Sequence, residues 1–132
     1  MKKIAVNGTF DILHRGHLDM LKFARSQGDE LLVIIDTDRR VKELKGLSRP
    51  INSQDDRKYM LESLKFVDRV EFFDSKEDLK RVLTAYQPDV IVKGSDWKGK
   101  STTSQLYCKE VIYYDRVGDY STTNTIQRIA DR

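Results

Sequence analysis

With 132 residues the chain has room for one buried core and too little for two ordinary domains. Hydrophobic residues at 39%, charged residues at 34% and only 2 Pro exclude a disordered or fibrous protein. The formal net charge of +3, from 24 Lys and Arg against 21 Asp and Glu mixed along the chain, lacks the dense basic face of a nucleic-acid binder and suits anionic small molecules.

Met1-Lys2-Lys3 is basic, but only Ile4, Ala5 and Val6 follow before Asn7-Gly8, too short an apolar run for a signal peptide or a membrane span. The same run reads as a first strand buried on both faces of a parallel sheet. From His17 the positions Leu18, Leu21, Phe23 and Ala24 have helical spacing, and Gly28 stops the helix. Leu31 to Ile35 is a second strand, ending at the polar Asp36-Thr37-Asp38, where a parallel sheet releases functional loops. Residues 39–52, with Arg39, Arg40, Lys42, Lys45 and Arg49 around Gly46 and Pro50, read as a basic, mobile loop.

A helix over Asp55 to Leu64 follows, capped by Ser53 or Asp55, then a strand over Val67 to Phe73 and a helix over Lys76 to Tyr86. Val90-Ile91-Val92 forms a strand ending at Lys93-Gly94-Ser95-Asp96, and Glu110 to Tyr114 a last one. The closing helix runs from Thr123 to Ile129, with Ser121 and Thr122 as caps. Strands alternating with helices predict one α/β domain over residues 1–132, a Rossmann-like parallel sheet of about five strands covered on both faces. The polar segments at 8–17, 36–38, 93–97 and 116–123 would then share the carboxyl edge of that sheet. Cys108 is the single cysteine, which excludes an internal disulfide and fits a reducing, cytoplasmic setting.

His14 and His17 are the two histidines of the chain, spaced to lie on one side of a helix's first turn, where exposed N–H groups and the positive dipole end favour phosphate. A zinc site would need further ligands, and no Cys or third His stands nearby. Solvated polar histidines would be the plain alternative, but Gly8-Thr9, Asp11 and Gly16 in the same short stretch argue for a phosphate site. Asp11 can bind a cation or a substrate hydroxyl, or cap the coming helix. Arg57 lies on a helix and can pair with Asp55, Asp56 or Glu62 instead of with a ligand.

Gly8-Thr9-Phe10-Asp11 followed by His14-Arg15-Gly16-His17, with Ser121-Thr122-Thr123 opening the last helix, resembles the HxGH nucleotidyltransferases over nearly the whole chain. Asp36-Thr37-Asp38, Val41 to Gly46, Ser48 to Asn52, Val92-Lys93-Gly94 and Ser121 to Asn124 look like heptose-phosphate adenylyltransferase domains. Gly94, Asp96-Trp97, Gly99-Lys100 and Arg116 look like glycerol-3-phosphate cytidylyltransferase, so both ATP and CTP stay open.

The resemblance implies in-line attack of an acceptor phosphate on the α-phosphorus of a nucleoside triphosphate, with pyrophosphate leaving and no covalent intermediate. It makes His14 and His17 the groups on the triphosphate, as partly protonated imidazoles, and Lys42 and Lys45 further catalytic cations from the loop. Gly8, Thr9, Phe10, Gly16, Lys93, Gly94, Asp96, Arg116, Ser121, Thr122 and Thr123 would bind nucleotide, and Asp11, Asp36, Asp38, Arg49, Arg57 and Trp97 the acceptor. Mg²⁺ would be held mainly by the triphosphate, with no protein metal cage. A homodimer through the stretch around Phe66-Val67-Asp68 is also implied, with neither nucleic acid nor membrane as partner. The rival reading is a nucleotide-binding module without turnover.

Overall fold

The computed structural model describes residues 1–100, 103–115, 118 and 120–132. Five strands, β1 (Lys3–Gly8), β2 (Glu30–Asp36), β3 (Arg69–Phe73), β4 (Val90–Gly94) and β5 (Glu110–Tyr114), form one sheet in the order β3-β2-β1-β4-β5. Every pairing is parallel. Five helices connect or follow the strands: α1 (Arg15–Ser26), α2 (Asp38–Lys45), α3 (Gln54–Glu62), α4 (Lys76–Tyr86) and α5 (Thr122–Ala130).

The two-residue alternation of a strand sends neighbouring side chains to opposite faces. Ile4, Val6, Leu31, Val33, Ile35, Val90 and Val92 share one core with Leu21 and Ala24 of α1 and Leu61 of α3. Ala5, Leu32, Ile34 and Ile91 face the other core, with Leu79, Val82, Leu83 and Tyr86 of α4. Helices therefore cover both faces, which is why β1, β2 and β4 are continuous apolar runs.

The predicted strands and helices are present, with shifted ends. His14 caps α1, so that helix begins at Arg15, two residues before the expected His17. Ser53 caps α3, and Tyr59 points outward at 74% exposure. β3 starts two residues late, at Arg69, because Asp68 is taken up in bridging to β2, its carboxylate accepting the Leu31 N–H at 2.8 Å and its own N–H bonding to the Leu31 carbonyl. Arg25 also pairs with Asp68 at 3.0 Å.

The expected loop over 39–52 is in fact helical at its start. Thr37 accepts the Arg40 N–H as N-cap of α2, Val41 is buried, and Gly46, at φ 99, ends the helix in a backbone region open to glycine. Ion pairs from Arg39 to Glu43 and Asp74, and from Arg40 to Asp36, stabilise a segment whose composition alone suggests a loop.

The chain winds outward from β1 through β2 to β3, then crosses back to place β4 on the other side of β1. The β1–β2 register runs from Lys3↔Glu30 to Gly8↔Ile35, whereas β1 and β4 pair only at Ile4↔Val90 and Ala5↔Ile91. The two central strands thus part above Ala5 and Ile91, opening a crevice at the switch of winding direction where α/β sheets bind ligands.

Candidate active site

A cavity of about 330 Å³ fills this crevice. Its floor is the end of β1 and the loop after it, which contributes Gly8, Thr9, Phe10 and Asp11. Phe10 (φ 53) and Ile12 (φ 49) are in the left-handed region that side chains rarely adopt, a strain of about 1–3 kcal/mol each. Three distant segments hold the loop there. The Asp11 carboxylate, 1% exposed, accepts the Ile51 N–H at 2.6 Å and the Asn52 N–H at 2.9 Å. The Arg57 guanidinium donates to the Thr9 carbonyl at 3.0 Å. The Thr122 hydroxyl donates to the Asp11 carbonyl at 2.5 Å, which ties the start of α5 to the floor.

His14 and His17 enter at the first turn of α1. The His17 N–H donates to Nδ1 of His14 and the His14 N–H donates to Nδ1 of His17, each at 3.3 Å, so the two rings form a reciprocal capping box. They stack with centroids 3.7 Å apart and planes at 17°. A nitrogen that accepts a backbone N–H carries no proton itself, so the neutral form of each ring has its proton on Nε2. Two stacked imidazolium ions at this spacing would repel by about 4 kcal/mol at an effective dielectric of ~20. With both Nδ1 atoms taken up by backbone N–H groups, the Nε2 atoms are the ring positions left to donate to a ligand.

Gly16, between them, also lines the cavity. A Cβ there would lie 2.9 Å from Tyr120 Cβ and 3.0 Å from the His14 ring, so the glycine lets Tyr120 and His14 close over the helix start. At Gly94 an added Cβ would lie 2.5 Å from the Asp96 carboxylate, which would have to turn aside.

Of the other residues singled out from the sequence, Lys45, Arg49, Gly94, Asp96, Trp97, Ser121, Thr122 and Thr123 also line the cavity. Burial, then the charge of Arg49, pulls the Lys45 amine below the usual lysine range. Arg49 Nε is buried without a hydrogen-bond partner among the described residues, and lies 3.9 Å from Asp11, too far for a hydrogen bond. Trp97 is half exposed between two ammonium groups, Lys93 and Lys100, each 5.7 Å from its ring centre. Lys93 does not line the cavity, and burial lowers its pKa. Arg116 lies outside the described residues.

Lys42 is exposed on α2, away from the cavity lining. Asp36 is buried beside Arg40 at 3.4 Å, and desolvation outweighs that charge to push its carboxyl above the usual range. Asp38 accepts from Arg57 at 2.9 Å and donates its N–H to Gln54. Arg57 pairs with Asp38 rather than with the expected Asp55, Asp56 or Glu62. Its guanidinium is fully buried and also bonds the Asn52 carbonyl at 3.1 Å, so it joins the floor loop, α2 and the chain before α3.

Sequence reasoning passed over Met20, Tyr114 and Tyr120, all of which line the cavity. Only Tyr120 carried a signal, its place immediately before the Ser121 cap. Among the described residues no group of three or more His, Cys, Asp or Glu side chains comes together as a metal site, and no helix is long and apolar enough to cross a membrane.

The cytidylyltransferase-like family model matches residues 5–128. Bifunctional protein HldE of Campylobacter concisus is 49% identical over 98% of this chain, and that of Campylobacter fetus subsp. fetus 46% over 96%. The chain spans 27% of the length of each of these curated relatives. The crystal structure of the lipopolysaccharide core biosynthesis protein from Thermoplasma volcanium GSS1 is similar at a TM-score of 0.68 and 28% identity, over 92% of this chain and 99% of that one. A bifunctional NMN adenylyltransferase/ADP ribose pyrophosphatase from Francisella tularensis shares the fold, at a TM-score of 0.67 and 19% identity over 99% of this chain and 42% of that one. By the breadth of the family match and the identity of these relatives, the chain belongs to the cytidylyltransferase-like family of nucleotidyltransferases.

Proposed function

We propose that the chain transfers the adenylyl group of ATP to the phosphate of a heptose 1-phosphate, releasing pyrophosphate. One observation carries the phosphate chemistry. α2, α3 and α4 each place acidic residues in their first turn, whereas α1 and α5, the two helices that open onto the cavity, have none. Their positive dipole ends are left for an anionic ligand.

The triphosphate would span from Ser121, Thr122 and Thr123 to the Nε2–H groups of His14 and His17. The acceptor phosphate would sit against Lys45 and Arg49, whose buried Nε has no other hydrogen-bond partner among the described residues. Lys42, exposed one turn before Lys45, would reach in only when substrate draws α2 closer. The acceptor oxygen attacks the α-phosphorus as the bond to the β-phosphate bridging oxygen breaks, and the charge that accumulates is met by donors already in place. Mg²⁺ would neutralise the triphosphate and be held mainly by its oxygens. Asp96 is the cavity carboxylate suited to approach it, since both Asp11 oxygens accept backbone N–H groups. The choice of ATP and heptose rests on the resemblance of residues 36–52 and 92–94 to heptose-phosphate adenylyltransferase domains. We place the protein in the cytoplasm, as a homodimer.

The test is pyrophosphate release with Mg²⁺, supplying ATP and CTP separately against heptose 1-phosphate and glycerol 3-phosphate. ATP with heptose 1-phosphate is expected to give the highest kcat/KM. A preference for CTP with glycerol 3-phosphate would move the assignment to the cytidylyltransferase reading that Asp96 and Trp97 favour. Tight nucleotide binding with no pyrophosphate from any pair would make the protein a binding module.

A further inference from the structure

We propose that Tyr120 is a positioning residue for His14, holding the imidazole in the stacked, Nε2-protonated state in which it can donate to the triphosphate. The inference rests on the nucleotidyl-transfer reading for its catalytic consequence, though not for its structural one. Four aromatic rings that line the cavity follow one another from its floor outward. Phe10 lies 5.3 Å from His17, His17 stacks on His14, and Tyr120 lies 6.0 Å from His14 with its plane within 22° of parallel. Phe10 thus bounds one end of the histidine pair and Tyr120 the other.

The Tyr120 end of this row needs a reason to be so close, and Gly16 supplies it. The glycine leaves room for Tyr120 Cβ directly over the first turn of α1, where a Cβ on Gly16 would be 2.9 Å away. The capping bonds between the histidines are 3.3 Å long, toward the weak end of the range, so they do not by themselves fix the His14 ring. A ring that rotates about χ2 exchanges Nδ1 for a carbon and loses both its cap and the aim of Nε2. The flat face of Tyr120 opposes that rotation. Tyr120 also immediately precedes Ser121, the N-cap of α5, so the residue that braces His14 is one peptide from the groups expected to bind the triphosphate.

The experiment uses the full chain in three forms: parent, Tyr120→Ala and Tyr120→Phe. With only two histidines in the sequence, a long-range ¹⁵N–¹H spectrum gives two imidazoles, and His17→Gln assigns them by removing one. In the parent both rings should show the Nε2–H tautomer. In Tyr120→Ala the His14 signal should lose its ring-current shift and become a tautomer mixture, kcat should fall about tenfold, the worth of one aromatic pair, and KM for the nucleotide should change by less than about twofold. Tyr120→Phe should restore the spectrum and kcat together, because it keeps the ring and loses only the hydroxyl. Unmoved His14 resonances in Tyr120→Ala, or moved resonances with parental turnover, would overturn the proposal. If no form turns over any triphosphate while the spectra change and recover as described, the positioning role stands and the reaction reading falls.

Discussion

A His17→Ala protein is expected to release pyrophosphate at least about a hundredfold more slowly than the parent, the loss seen when one preorganised donor to a developing oxyanion is removed. The ring contributes in two ways that the measurement must separate. Its ring lines the cavity proposed for the phosphates, and its Nδ1 accepts the His14 N–H, closing one half of the capping box. Loss of a cap costs about 1 kcal/mol of helix stability, which would not by itself slow catalysis a hundredfold. His17→Gln tests this division. Gln at the third helical position completes a capping box through its side-chain oxygen, so the unfolding midpoint should recover while turnover stays far below that of the parent. If the alanine protein retains turnover within about tenfold, the ring is not aimed at transition-state charge and His14 must carry that role with the α5 hydroxyls.

The second large effect is on stability. Arg57→Ala is expected to lower the unfolding free energy by about 3 kcal/mol or more in urea denaturation. The guanidinium is fully buried, and its removal strands the carbonyls of Thr9 and Asn52 as well as the Asp38 carboxylate. Asp38 is 32% exposed and can rehydrate, which places the loss at the lower end of the range for broken buried pairs. Arg57→Lys should recover only part of the loss, because one ammonium cannot reach three acceptors set out for a planar fork. Turnover should fall in the alanine protein too, since the Thr9 carbonyl is one of the points that hold Phe10 and Ile12 at positive φ. A midpoint unchanged by Arg57→Ala would mean that water can replace the fork, contrary to its complete burial.

These two residues show where sequence reading succeeds and where it stops. The placement of the histidines at the cavity is legible because its determinants lie within a dozen neighbouring positions: a strand end, two glycines and a helix start. The parallel sheet is legible for the same reason, as Leu31 to Ile35 and Val90 to Val92 are apolar without interruption. Arg57 looks like a surface residue of a helix because its acceptors lie elsewhere in the chain, Thr9 being 48 positions away. Asp11 is ambiguous from sequence on similar grounds, since its partners are backbone N–H groups 40 and 41 residues downstream, and any residue type can supply those. α2 escapes detection because only Val41 of its eight residues is buried and its remaining support is ion pairing. Tertiary pairing overrides its composition.

The mutual capping of His14 and His17 has a further consequence, for how the two residues can vary. Each ring accepts the other's backbone N–H and stacks on it, so neither is an independent position. Replacing either one removes half of the box and the stacking partner of the ring that remains, which keeps only its own bond to the backbone. In a double-mutant cycle the second replacement should therefore add much less than the first, a coupling well beyond the few tenths of a kcal/mol typical of separated positions. The pair behaves as a single inherited unit. Sequences able to drift at one histidine while keeping function at the other should be rare, because the intermediate would already have lost most of what both provide.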